Sequence, residues 1–143
     1  VILTTKGRAC AAAGINFTVV ADGALLGSMS SMDIATLFGN ALDNAIEASR
    51  RIDDPAKRLI KLALFRQGQM VVIRVDNWFD GHLNTDAGGR LTTIKPDTVR
   101  HGWGVKSIQW TARKYGGQAV TDVADHWFTL TVLLPSTNAQ EDE

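Results

Sequence analysis

Two asparagines, Asn40 and Asn44, stand one helical turn apart inside "NALDNAIEAS", residues 40–49, where the apolar residues keep helical spacing. Asn is a poor interior helix residue, roughly 0.6 kcal/mol worse than Ala. A solvated face is built more cheaply from Glu, Lys or Gln. At ~100° per residue, Asn40, Asn44, Glu47 and Arg51 fall on one narrow polar stripe, away from the apolar face centred on Ala41 and Ala45. An amide carbonyl ligates Mg²⁺ without adding charge beside a polyphosphate. Mg²⁺ takes octahedral oxygen ligands, usually one or two protein groups with phosphates and waters.

A second constellation is "HGWG", residues 101–104. Glycines at a helix start let backbone N–H groups approach an anion, and the helix dipole favours negative charge there. Arg100 and Lys106 add cations beside it. The spacing is neither a GxxxxGK[ST] loop nor a GxGxxG following a strand. The third is "VDNWFDG", 75–81, at the end of an apolar strand. A polar residue there can hydrogen-bond a base edge, and Gly81 permits a ligand to come close. His82, His101 and His126 lack metal-ligand spacing, and no Cys or His cluster exists.

The elements that must position these residues follow from periodicity. Residues 3–13 read as a helix stopped by Gly14, and 15–21, alternating and β-branched, as a strand. A turn-rich connector ends in Ser and Asp, which cap well. Apolar residues at 34, 37, 38, 41, 42, 45 and 46 predict a helix over 32–51 with one buried face. Residues 58–65 and 70–77 predict antiparallel strands joined through Gln67-Gly68-Gln69. The stretch from 78 to 101 is polar and aperiodic, and a segment of that length is expected to act as a lid. A glycine-opened helix follows from 101, with Val105, Ile108, Ala112 and Tyr115 as its apolar stripe and Gly116-Gly117 as its end. Strands at 118–123 and 127–134 close the chain around Ala124-Asp125-His126. The fold class expected is α+β: a two-layer sandwich, its mixed, mostly antiparallel sheet carrying about three helices on one face.

Composition sets the bounds. A chain of 143 residues, 45% hydrophobic, is long enough for one self-supporting core. One cysteine, Cys10, excludes an internal disulfide framework and suits a reducing compartment. Fifteen basic and fifteen acidic residues balance, so no nucleic-acid footprint is visible. No apolar run approaches the ~20 residues of a membrane span. The chain opens at Val1, as a fragment or processed piece would. The organisation expected is one domain over 1–135 and a disordered acidic tail over 136–143.

"LFGNALDNAIEAS", residues 37–49, resembles the N box of the GHKL ATPase/kinase superfamily, and "HGWGVKSIQWTARKYGG", 101–117, resembles its second glycine box with the following helix. With the order of elements, the resemblance covers about residues 1–135. It is to the catalytic ATP-binding domain of sensor histidine kinases, nearest the peptide-sensing kinases related to quorum-sensing receptors of Gram-positive bacteria. The resemblance implies the Bergerat fold, ATP and Mg²⁺ as cofactors, and Asn44 as the Mg²⁺ ligand. It puts Asn40 where ATP-hydrolysing relatives carry a catalytic glutamate, which favours phosphoryl transfer over hydrolysis. It assigns nucleotide contacts to Glu47, Asp76, Asn77, Gly81, His101, Gly102, Gly104, Val105 and Lys106. Its implied partners are a phosphoacceptor helical hairpin of the same homodimeric kinase and a response regulator. Its implied place is the cytoplasmic side of a bacterial membrane-bound sensor. One departure stands out: the family's first glycine box reads DxGxG, whereas this chain has N-W-F-D-G. Aligning Gly81 with the last glycine puts Asn77 at the adenine-reading position, with Asp76 as the alternative. A non-catalytic nucleotide-sensing module and a serine kinase of the anti-sigma-factor type are the rival readings.

Overall fold

The structure is a computed structural model that describes residues 2–79, 84–85, 91–92 and 98–135, with side chains over 2–79 and 106–135. In chain order it contains α1 (Ile2–Ala12), β1 (Asn16–Ala21), α2 (Ser31–Arg50), β2 (Leu59–Gln67), β3 (Met70–Trp78), β4 (Asn84–Thr85), β5 (Leu91–Thr92), α3 (Thr98–Lys114), β6 (Gln118–Ala124) and β7 (Trp127–Pro135). Single 3₁₀ turns sit at Gly23–Leu26 and Pro55–Lys57.

Five strands form one sheet in the order β1-β2-β3-β7-β6. Only β1 runs parallel to its neighbour, because the chain crosses over through α2 before entering β2. The other neighbours are antiparallel. The β2–β3 hairpin turns at Gly68, whose φ of 61° suits glycine. This is the mixed sheet and α+β class that the periodicities predict.

Strand parity decides what each side of the sheet faces. On β3, Val71, Ile73 and Val75 point to one side. They sit level with Leu64 and Leu62 of β2, and with Leu134, Val132 and Leu130 of β7. All are buried and form one cluster with Leu37, Phe38, Ala41, Leu42, Ala45 and Ile46 of α2 and with Ile108 and Ala112 of α3. The helices therefore cover that side, and the space between the layers is the core. α2 starts one residue earlier than its periodicity predicts, because the hydroxyl of Ser30 accepts the Asp33 N–H at 3.1 Å and so caps it.

Two departures from the sequence reading concern the second half. α3 begins at Thr98, three residues before the glycine-opened start expected at 101. Asp97 and Thr98, both favoured at helix starts, carry that signal. Within the stretch read as aperiodic, Asn84–Thr85 and Leu91–Thr92 pair as a small antiparallel ladder. The rest of the expected lid and the expected tail over 136–143 lie outside the described residues. After α3 the chain squeezes past β7: a Cβ on Gly117 would meet the Leu133 carbonyl oxygen at 2.0 Å. Only glycine fits there.

Candidate functional site

The N-terminus of α2 is tied to the C-terminus of α3. The Tyr115 hydroxyl donates to Asp33 Oδ2 at 2.5 Å, and Lys114 Nζ lies 2.9 Å from the same oxygen. The Ser30 N–H donates in turn to the Tyr115 oxygen at 3.1 Å. The Tyr115 hydrogen bond first, and Lys114 second, hold the Asp33 carboxyl below the usual carboxylate range. Asp33 correspondingly raises the Lys114 ammonium. In the sequence Asp33 reads as a capping residue and Tyr115 as part of an apolar stripe. Neither periodicity nor propensity reveals a pair 82 positions apart.

This contact orients the asparagines. Asp33, Asn40, Asn44, Glu47 and Arg51 follow one another at intervals of seven, four, three and four residues, which is one side of a helix. Since Asp33 on that side meets α3, the stripe lies along the flank of α2 that α3 adjoins. Asn40, Asn44 and Glu47 are half-buried there, whereas Met32 and Asp43, on the outward side, are exposed. Glu47 and Arg51 make an ion pair of 3.4 Å along the helix. With α2 running away from the tie and α3 running towards it, Asn44 and Gly104 are each eleven residues from it, about 16 Å by helical rise. The two motifs thus lie level with each other.

α3 contributes His101, Gly102, Gly104 and Val105 through its backbone. Because the helix starts at Thr98, the helical amides without an intrahelical acceptor are those of residues 98–100. Those of Gly102 and Gly104, expected to be free, fall within the helical ladder instead. Lys106 is exposed one turn further on. Gly81 lies outside the described residues.

The end of β3 separates the two base-reading candidates. Asn77 continues the Val71-Ile73-Val75 side towards the helices, flanked by Ile60 of β2 and Phe128 of β7, and is only 4% exposed. Asp76 points to the opposite side of the sheet. There Arg74 Nε approaches its carboxylate oxygens at 3.3 and 3.2 Å, and the Thr129 hydroxyl donates to Oδ1. The acidic residue is thus engaged away from the interlayer space, and the amide faces into it. Just beyond, His126 fixes the strand end. The Phe79 N–H donates to the His126 carbonyl at 2.8 Å, and His126 Nδ1 lies 3.0 Å from the Phe79 carbonyl oxygen. The His126 ring also stacks on Trp78 with centroids 4.8 Å apart, and Lys57 Nζ sits 5.0 Å from the Trp78 centroid. Nothing in the local sequence pattern signals this role for His126.

Among the described residues, no group of three or more His, Cys, Asp or Glu side chains could hold a metal by itself. A divalent ion fits only where the ligand brings most of the oxygens, and a half-buried amide such as Asn44 suits that donor set.

A family model described as "GHKL domain" matches residues 29–135. No curated protein matches the chain. Among solved structures, the histidine kinase AdeS of Acinetobacter baumannii superposes with a TM-score of 0.63 at 12% identity, covering 96% of this chain and 62% of that one. The catalytic domain of histidine kinase ThkA, in a nucleotide-free form, superposes with a TM-score of 0.67 at 15% identity, covering 94% of this chain and 88% of that one. At such identities the likeness is one of fold. The chain spans less than two thirds of AdeS.

Proposed function

The chain belongs to the GHKL domain family, and from that premise we propose that it is the ATP-binding catalytic domain of a sensor histidine kinase of the peptide-sensing type. The observation that carries this reading is the tie between Asp33 and Tyr115, which turns the Asn40–Asn44 flank of α2 towards α3. The interlayer space beside that flank also receives the Asn77 amide.

Each residue then has a task. Asn44 offers a neutral carbonyl to Mg²⁺, which when bound neutralises phosphate charge. The first amides of α3 and the Lys106 ammonium hold phosphate oxygens. Asn77 reads the 6-position of the purine from the edge of the buried sheet. Asn40, being an amide, has no basicity to activate water, so the bound γ-phosphoryl awaits a nucleophile from elsewhere. That nucleophile is a histidine on the helical hairpin of the full-length, homodimeric kinase. From there the group passes to a response regulator. Positioning and electrostatics carry the catalysis, as in phosphoryl transfer generally. The domain works on the cytoplasmic side of a membrane sensor; among the described residues no helix is long and apolar enough to cross a membrane.

A second reading draws on the missing carboxylate at the base: a nucleotide-sensing module without transfer. Radiolabelled ATP, Mg²⁺ and a separately purified phosphoacceptor hairpin decide between them. Acid-labile phosphohistidine on the hairpin, with little ATP turnover by the chain alone, is the result expected. Phosphoserine would point to the anti-sigma-factor type. Tight nucleotide binding without any transfer would favour the sensing module.

A further inference from the structure

We propose that the site accepts 6-oxopurine nucleoside triphosphates on terms comparable with ATP, because its base reader is an amide free to turn over. The inference rests on the assignment of Asn77 as that reader.

A carboxylate only accepts hydrogen bonds, whereas an asparagine presents a carbonyl acceptor and an NH₂ donor at nearly the same reach. Adenine offers an amino donor at position 6 and an acceptor at N1. Hypoxanthine and guanine reverse both, with an acceptor at O6 and a donor at N1. A carboxylate placed against position 6 therefore accepts from the amino group and repels O6. An amide meets either pattern, its carbonyl facing the amino group in one orientation and its NH₂ facing O6 in the other.

Whether it can do so depends on what holds the amide. Among the described residues its side-chain hydrogen bond is from Nδ2 to the carbonyl oxygen of the next residue, Trp78, at 3.5 Å, the outer limit of such a bond. Its cross-strand neighbours, Ile60 and Phe128, are hydrocarbon and give neither orientation an advantage. The nearest carboxylate along the strand, Asp76, points to the other side and is engaged with Arg74 and Thr129. Among the described residues, no carboxylate on the Asn77 side of this strand restores the preference that an aspartate at 77 would impose.

The test is calorimetric titration of the whole chain, with Mg²⁺, by ATP and by inosine triphosphate, which differs from ATP only at position 6 and in the N1 proton. The two affinities should agree within about threefold, and Asn77→Asp should widen the ratio to about tenfold or more in favour of ATP, since charge-assisted acceptance strengthens one ligand and penalises the other. Asn77→Ala should weaken both ligands and leave their ratio near one. The parent comparison needs no variant, so a failure of Asn77→Asp to fold does not rescue the idea. A tenfold preference for ATP in the parent, or a ratio that Asn77→Asp leaves unchanged, overturns the proposal while ATP binding stands. Binding of neither nucleotide overturns it together with the reading on which it rests.

Discussion

An asparagine carbonyl adds no charge to the ion it meets, so truncating it removes one ligand and little else. Asn44→Ala should abolish Mg²⁺-dependent ATP binding in calorimetry while the melting temperature stays close to that of the parent, because the side chain is half-buried on a helix flank outside the core cluster. A large fall in melting temperature would instead give the amide a structural task. At the base, Asn77→Asp should tighten ATP by about 1 kcal/mol, several-fold in affinity, through a charge-assisted hydrogen bond. Asp76→Ala should act differently. It leaves Arg74 and Thr129 without their shared acceptor, so it should lower thermal stability and leave the ratio of ATP to inosine triphosphate affinity where the parent has it. If Asp76→Ala alone shifts that ratio, the base is read from the other strand register.

The tie between α2 and α3 gives the next scale its measurable quantity. Tyr115→Phe strips a donor from Asp33 and an acceptor from the Ser30 N–H, and should cost about 1–3 kcal/mol in urea unfolding. Asp33 has its carboxyl held low in the fold, so its contribution is complete above the ordinary aspartate value of about 3.9 and is lost as pH falls through the lower, folded value. Lys114 is raised, so its share persists below about 10.4 and disappears as pH climbs through the folded value. Melting temperature should therefore fall more steeply on the acid side in the parent than in Asp33→Asn; equal slopes would mean that the carboxylate contributes nothing. Gly117→Ala drives a Cβ into the Leu133 carbonyl and should destabilise by about 3 kcal/mol or more, read in the same unfolding assay. The elements themselves were legible where one period dominates: α2, the β2–β3 hairpin and the closing hairpin all lie within a few residues of their expected bounds. α3 starts earlier than the glycines at 102 and 104 suggest, because the helix-start residues Asp97 and Thr98 precede them. The Asp33–Tyr115 contact and the clamp at His126 were invisible, since local pattern says nothing of which helix end meets which. The side of the sheet that Asn77 faces, by contrast, was already implied by its parity with Val75.

At the scale of the molecule, β3 is the middle strand, and its two neighbours come from opposite ends of the chain. Residues 2–79 supply β1, β2, β3, α1 and α2, while 98–135 supply α3, β6 and β7. The halves meet along the β3–β7 ladder from Met70↔Pro135 to Trp78↔Trp127, and where Asp33 receives Tyr115 and Lys114. Each half has strands that pair internally, and each would expose a row of unpaired amides and an apolar side without the other. Neither the β3–β7 ladder nor the Asp33 contact draws on residues 80–97. Two polypeptides, 1–79 and 98–143, produced in one cell should assemble without a covalent link and elute together from a sizing column, with Tyr115→Phe weakening the pair. On that outcome, the domain would be a heterodimer written as a single polypeptide.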